Sequence, residues 1–123
     1  MFKDTNAFSG FSVDDLDAAR RFYAETLGIE VSDEGPGLGL ELATGGSVFI
    51  YPKDDHEPAG FTVLNFPVDD IEAAVDELTE RGIAIERYDG FGQDDRGIAS
   101  PPHGPRIAWF KDPAGNVLSV LSD

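Results

Sequence analysis

Apolar and polar positions along this chain change period in a way that happens twice. Phe11-Ser12-Val13 alternates as a strand does and runs into Asp14-Asp15. Beyond it Leu16, Ala19, Tyr23 and Leu27 fall three or four residues apart, which predicts a helix over 15–27 with one buried stripe. The switch recurs 55 residues later, from Phe66-Pro67-Val68-Asp69-Asp70 into Ile71, Ala74, Val75 and Leu78, which predicts a helix over 70–81. Asp14 and Asp69 stand where a helix N-cap is expected, with Asp15 and Asp70 adding charge at the positive end of each helix. Gly28 and Gly82 are the expected stops.

Three short strand-like segments follow each helix. In the first half they are 29–33, 38–42 and 47–52; in the second, 83–88, 106–111 and 116–121. Turn residues such as Thr44-Gly45-Gly46 and Pro113-Ala114-Gly115-Asn116 separate them. With leading strands at 7–13 and 61–68, the chain reads as βαβββ twice. That is an α+β plan with helices on one face of the sheets. One domain, 1–123, is expected from repeat one (1–55) and repeat two (61–123).

Composition narrows the setting. The chain has 123 residues, 41% of them hydrophobic and nine of them Phe, enough for one buried core. No apolar run has the length of a membrane span, and Met1-Phe2-Lys3-Asp4 lacks the basic-then-apolar layout of a signal peptide. With no cysteine there is no disulfide framework, and a cytoplasmic location is expected. The net charge of −15 disfavours nucleic acid, because phosphates are repelled. It suits either a cationic ligand or plain solubility, including in a salty cytoplasm, since 15 Asp stand beside three Lys.

The repeat, the Val-Asp-Asp-Leu-Asp-Ala-Ala-Arg-Arg-Phe-Tyr segment at 13–23 and Asp112-Pro113-Ala114-Gly115-Asn116 before the last strand resemble the vicinal oxygen chelate superfamily. That group includes glyoxalases, dioxygenases and bleomycin-resistance proteins. The resemblance covers the whole chain and implies a cup-shaped mixed sheet. In active members the cup holds a divalent metal through His, Glu or Gln from four strands. Carried over, those positions fall on Phe8, Ile50, Val63 and Ser119, none a competent ligand for a divalent ion. No metal and no cofactor is expected. His56, His103, Glu41 and the Asp94-Asp95 pair form no spacing that resembles a ligand motif. The two histidines remain the acid–base candidates, because imidazole changes charge near neutrality.

Alternation along the strands assigns the cup lining. Phe11, Val13, Leu64, Phe66 and Val68 suit the helix side. Phe8, Gly10, Ser12, Ile50, Val63, Asn65 and Ser119 fall on the cup side, an apolar surface with polar points at Ser12, Asn65 and Ser119. Trp109 and Phe110 are equally apolar, so parity leaves open which of them faces the cup. Two long loops, 51–58 and 89–105, are candidate lids, with Phe91 on a glycine-flanked tip. Lys53 and Arg96 suit either an anionic ligand group or a salt bridge. The leading expectation is a homodimeric small-molecule-binding protein that sequesters its ligand, as the bleomycin-resistance proteins do, with Phe8, Ser12, Ile50, Val63, Asn65, Phe91, Trp109 and Ser119 as ligand contacts. The alternatives are a lyase, isomerase or dioxygenase of the same fold, using unexpected metal ligands or His56, His103, Tyr51 or Asp95, and a dimer whose apolar cup is simply an interface.

Overall fold

The computed structural model describes residues 1–123, which divide into two compact units, Met1–Pro58 and Ala59–Asp123. The first runs β1 (Ser9–Val13), α1 (Leu16–Arg20), β2 (Glu30–Glu34), β3 (Gly37–Glu41) and β4 (Ser47–Pro52). The second runs β5 (Thr62–Pro67), α2 (Ile71–Glu80), β6 (Arg106–Lys111) and β7 (Val117–Ser122). The α+β class holds. The mixed strands fall into two sheets, β1-β4-β3-β2 and β5-β7-β6, in each of which the leading strand pairs parallel to the last and the rest pair antiparallel.

Both helices start one residue later than expected. Asp15 and Asp70, not Asp14 and Asp69, hold the extended N-cap conformation and accept from Ala18 N and Ala73 N at 3.1 and 3.0 Å. An Asp-Asp pair offers two caps, and in both helices the second is the one that accepts from the amide three residues on. Gly28 and Gly82 end the helices at φ 72° and 84°. The first helix also changes pitch: after Arg20 it widens into π-type turns over Arg21–Thr26. The wider turn buries the adjacent rings Phe22 and Tyr23 together, edge to face at 5.0 Å, with Tyr23 reaching Phe11 at 6.1 Å. Leu16 and Leu27 stay half-exposed. In the second unit Ile71, Val75 and Leu78 of α2 are buried, as are Ala108, Phe110, Leu118 and Val120 of β6 and β7, the two strands that α2 packs against.

The strand expected at 83–88 does not form. One ladder-like bond remains there, Glu86 N to Trp109 O at 2.8 Å. The Gln93 amide takes up Tyr88 N and Glu86 O, and Arg87 donates to Asp94 O and Asp95 O, so this segment pairs with its own loop. The long loop is correspondingly ordered. Ala99 exchanges both backbone bonds with Ile107, and Ile98 and Ala99 join the core at 1% exposure each. Gly97 sits at φ +91° against Ile85, where an added Cβ would meet Ile85 Cγ2 at 2.4 Å.

Candidate functional site

The register of the second sheet aligns Asn65, Ser119 and Trp109 in one cross-strand row, opposite in parity to the buried row of Leu118 and Phe110. This settles the Trp109–Phe110 question: Phe110 is core, 1% exposed, and Trp109 shares the face of Ser119. Ser119 Oγ donates to Asn65 Oδ1 at 2.5 Å, so the polar point of this face is a linked pair. Val63 departs from its expected place. A bulge between Thr62 and Leu64 breaks the alternation, and Thr62, not Val63, stands beside Val117.

Above this row lies the loop that replaces the missing strand. Phe91, on its tip, sets its ring 4.9 Å from Trp109 and 6.2 Å from Tyr88, and Tyr88 lies 5.5 Å from Trp109. All three contacts are tilted toward edge-on, the favourable arrangement for aromatic quadrupoles. With Phe61, Thr62 and Val117 they line an open recess of about 240 Å³ whose walls are mostly apolar. Phe61, Tyr88 and Phe91 remain 70%, 36% and 53% exposed, so the rings offer surface to a ligand rather than only to one another. Tyr88 and Phe61 were not expected here. Their signal was an aromatic at the end of an expected strand, Phe61 before one that forms from Thr62 and Tyr88 at the close of one that does not form.

The first unit corrects another expectation. Ile50 pairs with Phe11 and Leu38 and is fully buried, so it belongs to the core face. Phe49 and Tyr51 take the face of Gly10 and Ser12, stacked at 5.9 Å. Val48-Ile50 and Phe49-Tyr51 are both apolar pairs, so alternation alone could not orient β4. Phe8 lies just before β1 and is 70% exposed. Ser12 and His56, 44 residues apart, share a hydrogen bond of 2.6 Å between Oγ and Nδ1. A hydroxyl held on an imidazole is the elementary unit of nucleophile activation. His103 is an exposed residue of the turn before β6. Lys53 and Arg96 form exposed ion pairs with Asp55 and Asp76 at 3.6 and 2.9 Å.

Phe49, not Ile50, is the repeat counterpart of Ser119, because Gly10 pairs with Phe49 as Asn65 pairs with Ser119. The four positions carried over for a metal are then Phe8, Phe49, Val63 and Ser119. Three lack any donor atom, and no three His, Asp or Glu side chains gather elsewhere as metal donors. The donor set does not fit a divalent ion. Asp112-Pro113-Ala114-Gly115-Asn116 is structural. Asp112 Oδ1 accepts from Ala114 N and Asn116 N at 3.0 and 2.9 Å, and the Asn116 side chain closes on Asp112 Oδ2 at 3.0 Å. The sequence model of the Glyoxalase/Bleomycin resistance protein/Dioxygenase superfamily matches residues 7–120.

The chain belongs to this superfamily. Three solved structures place the glyoxalase-type fold around it. A superfamily member from Sphaerobacter thermophilus is 24% identical, with all of both chains covered and a TM-score of 0.74. A glyoxalase family protein from Enterococcus faecalis is 25% identical, covering 98% of this chain and 99% of its own, at 0.70. TnmS3, an antibiotic binding protein from a Streptomyces species, is 25% identical, covering 99% and 98%, also at 0.70. None of the curated proteins matches the chain. Within the superfamily's fold, no helix is long and apolar enough to cross a membrane.

Proposed function

We propose that this glyoxalase-superfamily chain, acting as one domain over 1–123, is a binding protein that holds the flat part of a small molecule in the aromatic recess of its second unit and does not transform it. The observation that carries the reading is the trio Tyr88, Phe91 and Trp109, ring against ring and still partly exposed around an open recess. At about 240 Å³ the recess lies just under the roughly 300–1,000 Å³ of pockets for drug-sized ligands, so it takes one or two rings and leaves the rest outside. Asn65, exposed in the Trp109 row and bonded by the fully buried Ser119, is the polar side chain that row offers a ligand. A net charge of −15 favours a cationic ligand over an anionic one of the same shape. The antibiotic-binding role given for TnmS3 supports a sequestering protein of this size. The proposal includes a cytoplasmic homodimer that needs no metal.

The test is calorimetric titration of the protein, with and without chelator, using 1-methylquinolinium, naphthalene and naphthalene-1-sulfonate. The reading expects saturable binding, one site per chain, strongest for the cation and indifferent to chelator. Binding that requires a divalent ion, or no binding of any planar compound, contradicts it. A second reading rests on the Ser12–His56 bond, an acid–base pair of an enzyme. It expects hydrolysis of an activated ester such as 4-nitrophenyl acetate by the wild type and its loss in both Ser12→Ala and His56→Ala.

A further inference from the structure

A ring on a tip flanked by Gly90 and Gly92 is free to swing unless something below fixes the loop. We infer that Gln93 is the positioning residue of the recess, the side chain that holds Tyr88 and Phe91 against Trp109; the inference rests on the recess being the binding site. The Gln93 amide oxygen accepts from Tyr88 N at 2.7 Å. Its amide nitrogen donates to Glu86 O and to Gly97 O, each at 2.8 Å. Glu86 and Tyr88 precede the tip and Gly97 follows it, so one half-buried side chain ties the two legs of the loop together. Glu86 N in turn donates to Trp109 O, which places the tied base beside the indole.

The pattern needs two donors and an acceptor in one planar group at this reach. Glutamate offers no donor, leucine offers neither, and asparagine is a methylene short. Gly97 can approach because it lacks a Cβ, and its approach to Ile85 seats the second leg on the core. The other side-chain tie between the two legs, and the ion pair that holds the loop to α2, are exposed. Arg87 bonds Asp94 O and Asp95 O at 2.6 and 2.7 Å, and Arg96 pairs with Asp76. Gln93 is the tie that reaches both legs from within.

Trp109 is the sole tryptophan, so its emission reports the recess directly, ligand or none. In ligand-free Gln93→Glu and Gln93→Leu, emission shifts to longer wavelength and acrylamide quenches it more strongly. Gln93→Asn shifts it the same way by less. Affinity for 1-methylquinolinium falls about tenfold or more, as expected for losing paired hydrogen bonds that order a site. Arg96→Ala, on the same loop, changes neither emission nor affinity. In a Tyr88→Ala, Phe91→Ala background, Gln93→Leu moves Trp109 emission no further, which a general loss of stability would not reproduce. Wild-type emission and quenching in the folded Glu and Leu variants would overturn the inference. Shifted emission in a protein whose wild type never binds 1-methylquinolinium upholds the positioning and removes the binding reading, so the two fail separately.

Discussion

Asp15 and Asp70 cap their helices with the same bond, 55 residues apart. Gly45 and Gly115 turn their last hairpins with matching bonds, to Leu42 O and to Asp112 O at 3.0 Å each, but 70 residues apart. The second unit therefore carries 15 more residues between helix and final hairpin than the first. The first unit uses its short connection to add an edge strand, β2. The second omits that strand and covers the edge of β6 with the loop that bears Tyr88, Phe91 and Gln93. Two copies of one plan thus separate scaffold from site: capped helix and hairpin are kept, and the recess arises where the copies differ. Sites carried on loops over a regular frame are the usual arrangement.

The largest expected effect comes from erasing the difference. Replacing Asp89–Gly92 by a two-residue turn removes Phe91, and calorimetry should show 1-methylquinolinium affinity reduced at least about thirtyfold, the loss typical of a central aromatic anchor. Binding that survives would place the ligand elsewhere. Next is Gly97→Ala, which sets a methyl into Ile85 at a positive φ. Thermal or denaturant unfolding should show a loss of about 2 kcal/mol or more.

How far the sequence alone reaches follows from which signals are local. The helices, the hairpin turns and the superfamily were legible because caps, periodicity and turn residues act within a few positions. Strand parity failed at β4, where both faces are apolar, and at β5, where the bulge at Val63 shifts the count. Phe49, not Ile50, is the counterpart of Ser119 because Gly45, four residues before it, turns the first hairpin as Gly115 turns the second. The strand at 83–88 was overestimated because Gln93, a side chain from outside the segment, takes its backbone groups. The Ser12–His56 bond joins residues far apart in sequence and left no local trace.

Smaller effects sharpen the shared part. Asp15→Ala and Asp70→Ala should each cost about 1 kcal/mol in urea unfolding, and the two losses should agree, since the caps are the same bond. A clear inequality would mean that the two helices do not share one capping role. The smallest effect is a pair without a counterpart: Glu72 with Arg106 at 2.5 Å, where the first unit has Pro36 in place of the arginine. The hydrogen bond from Arg106 holds the Glu72 carboxyl below its ordinary value. A lowered folded-state value stabilises above the unfolded one and is lost as pH falls through the folded one. Glu72→Gln should therefore melt slightly below wild type at neutral pH, and the gap should close in acid; because solvent reaches both partly exposed groups, the gap is small.

The most direct measurement of the central claim is Trp109 emission titrated with 1-methylquinolinium in wild type and in Phe91→Ala. The account predicts a saturable change with one site per chain in the wild type and its loss in the variant. A wild type whose emission does not respond, or a variant that responds equally, would contradict the assignment of binding to the recess of the second unit.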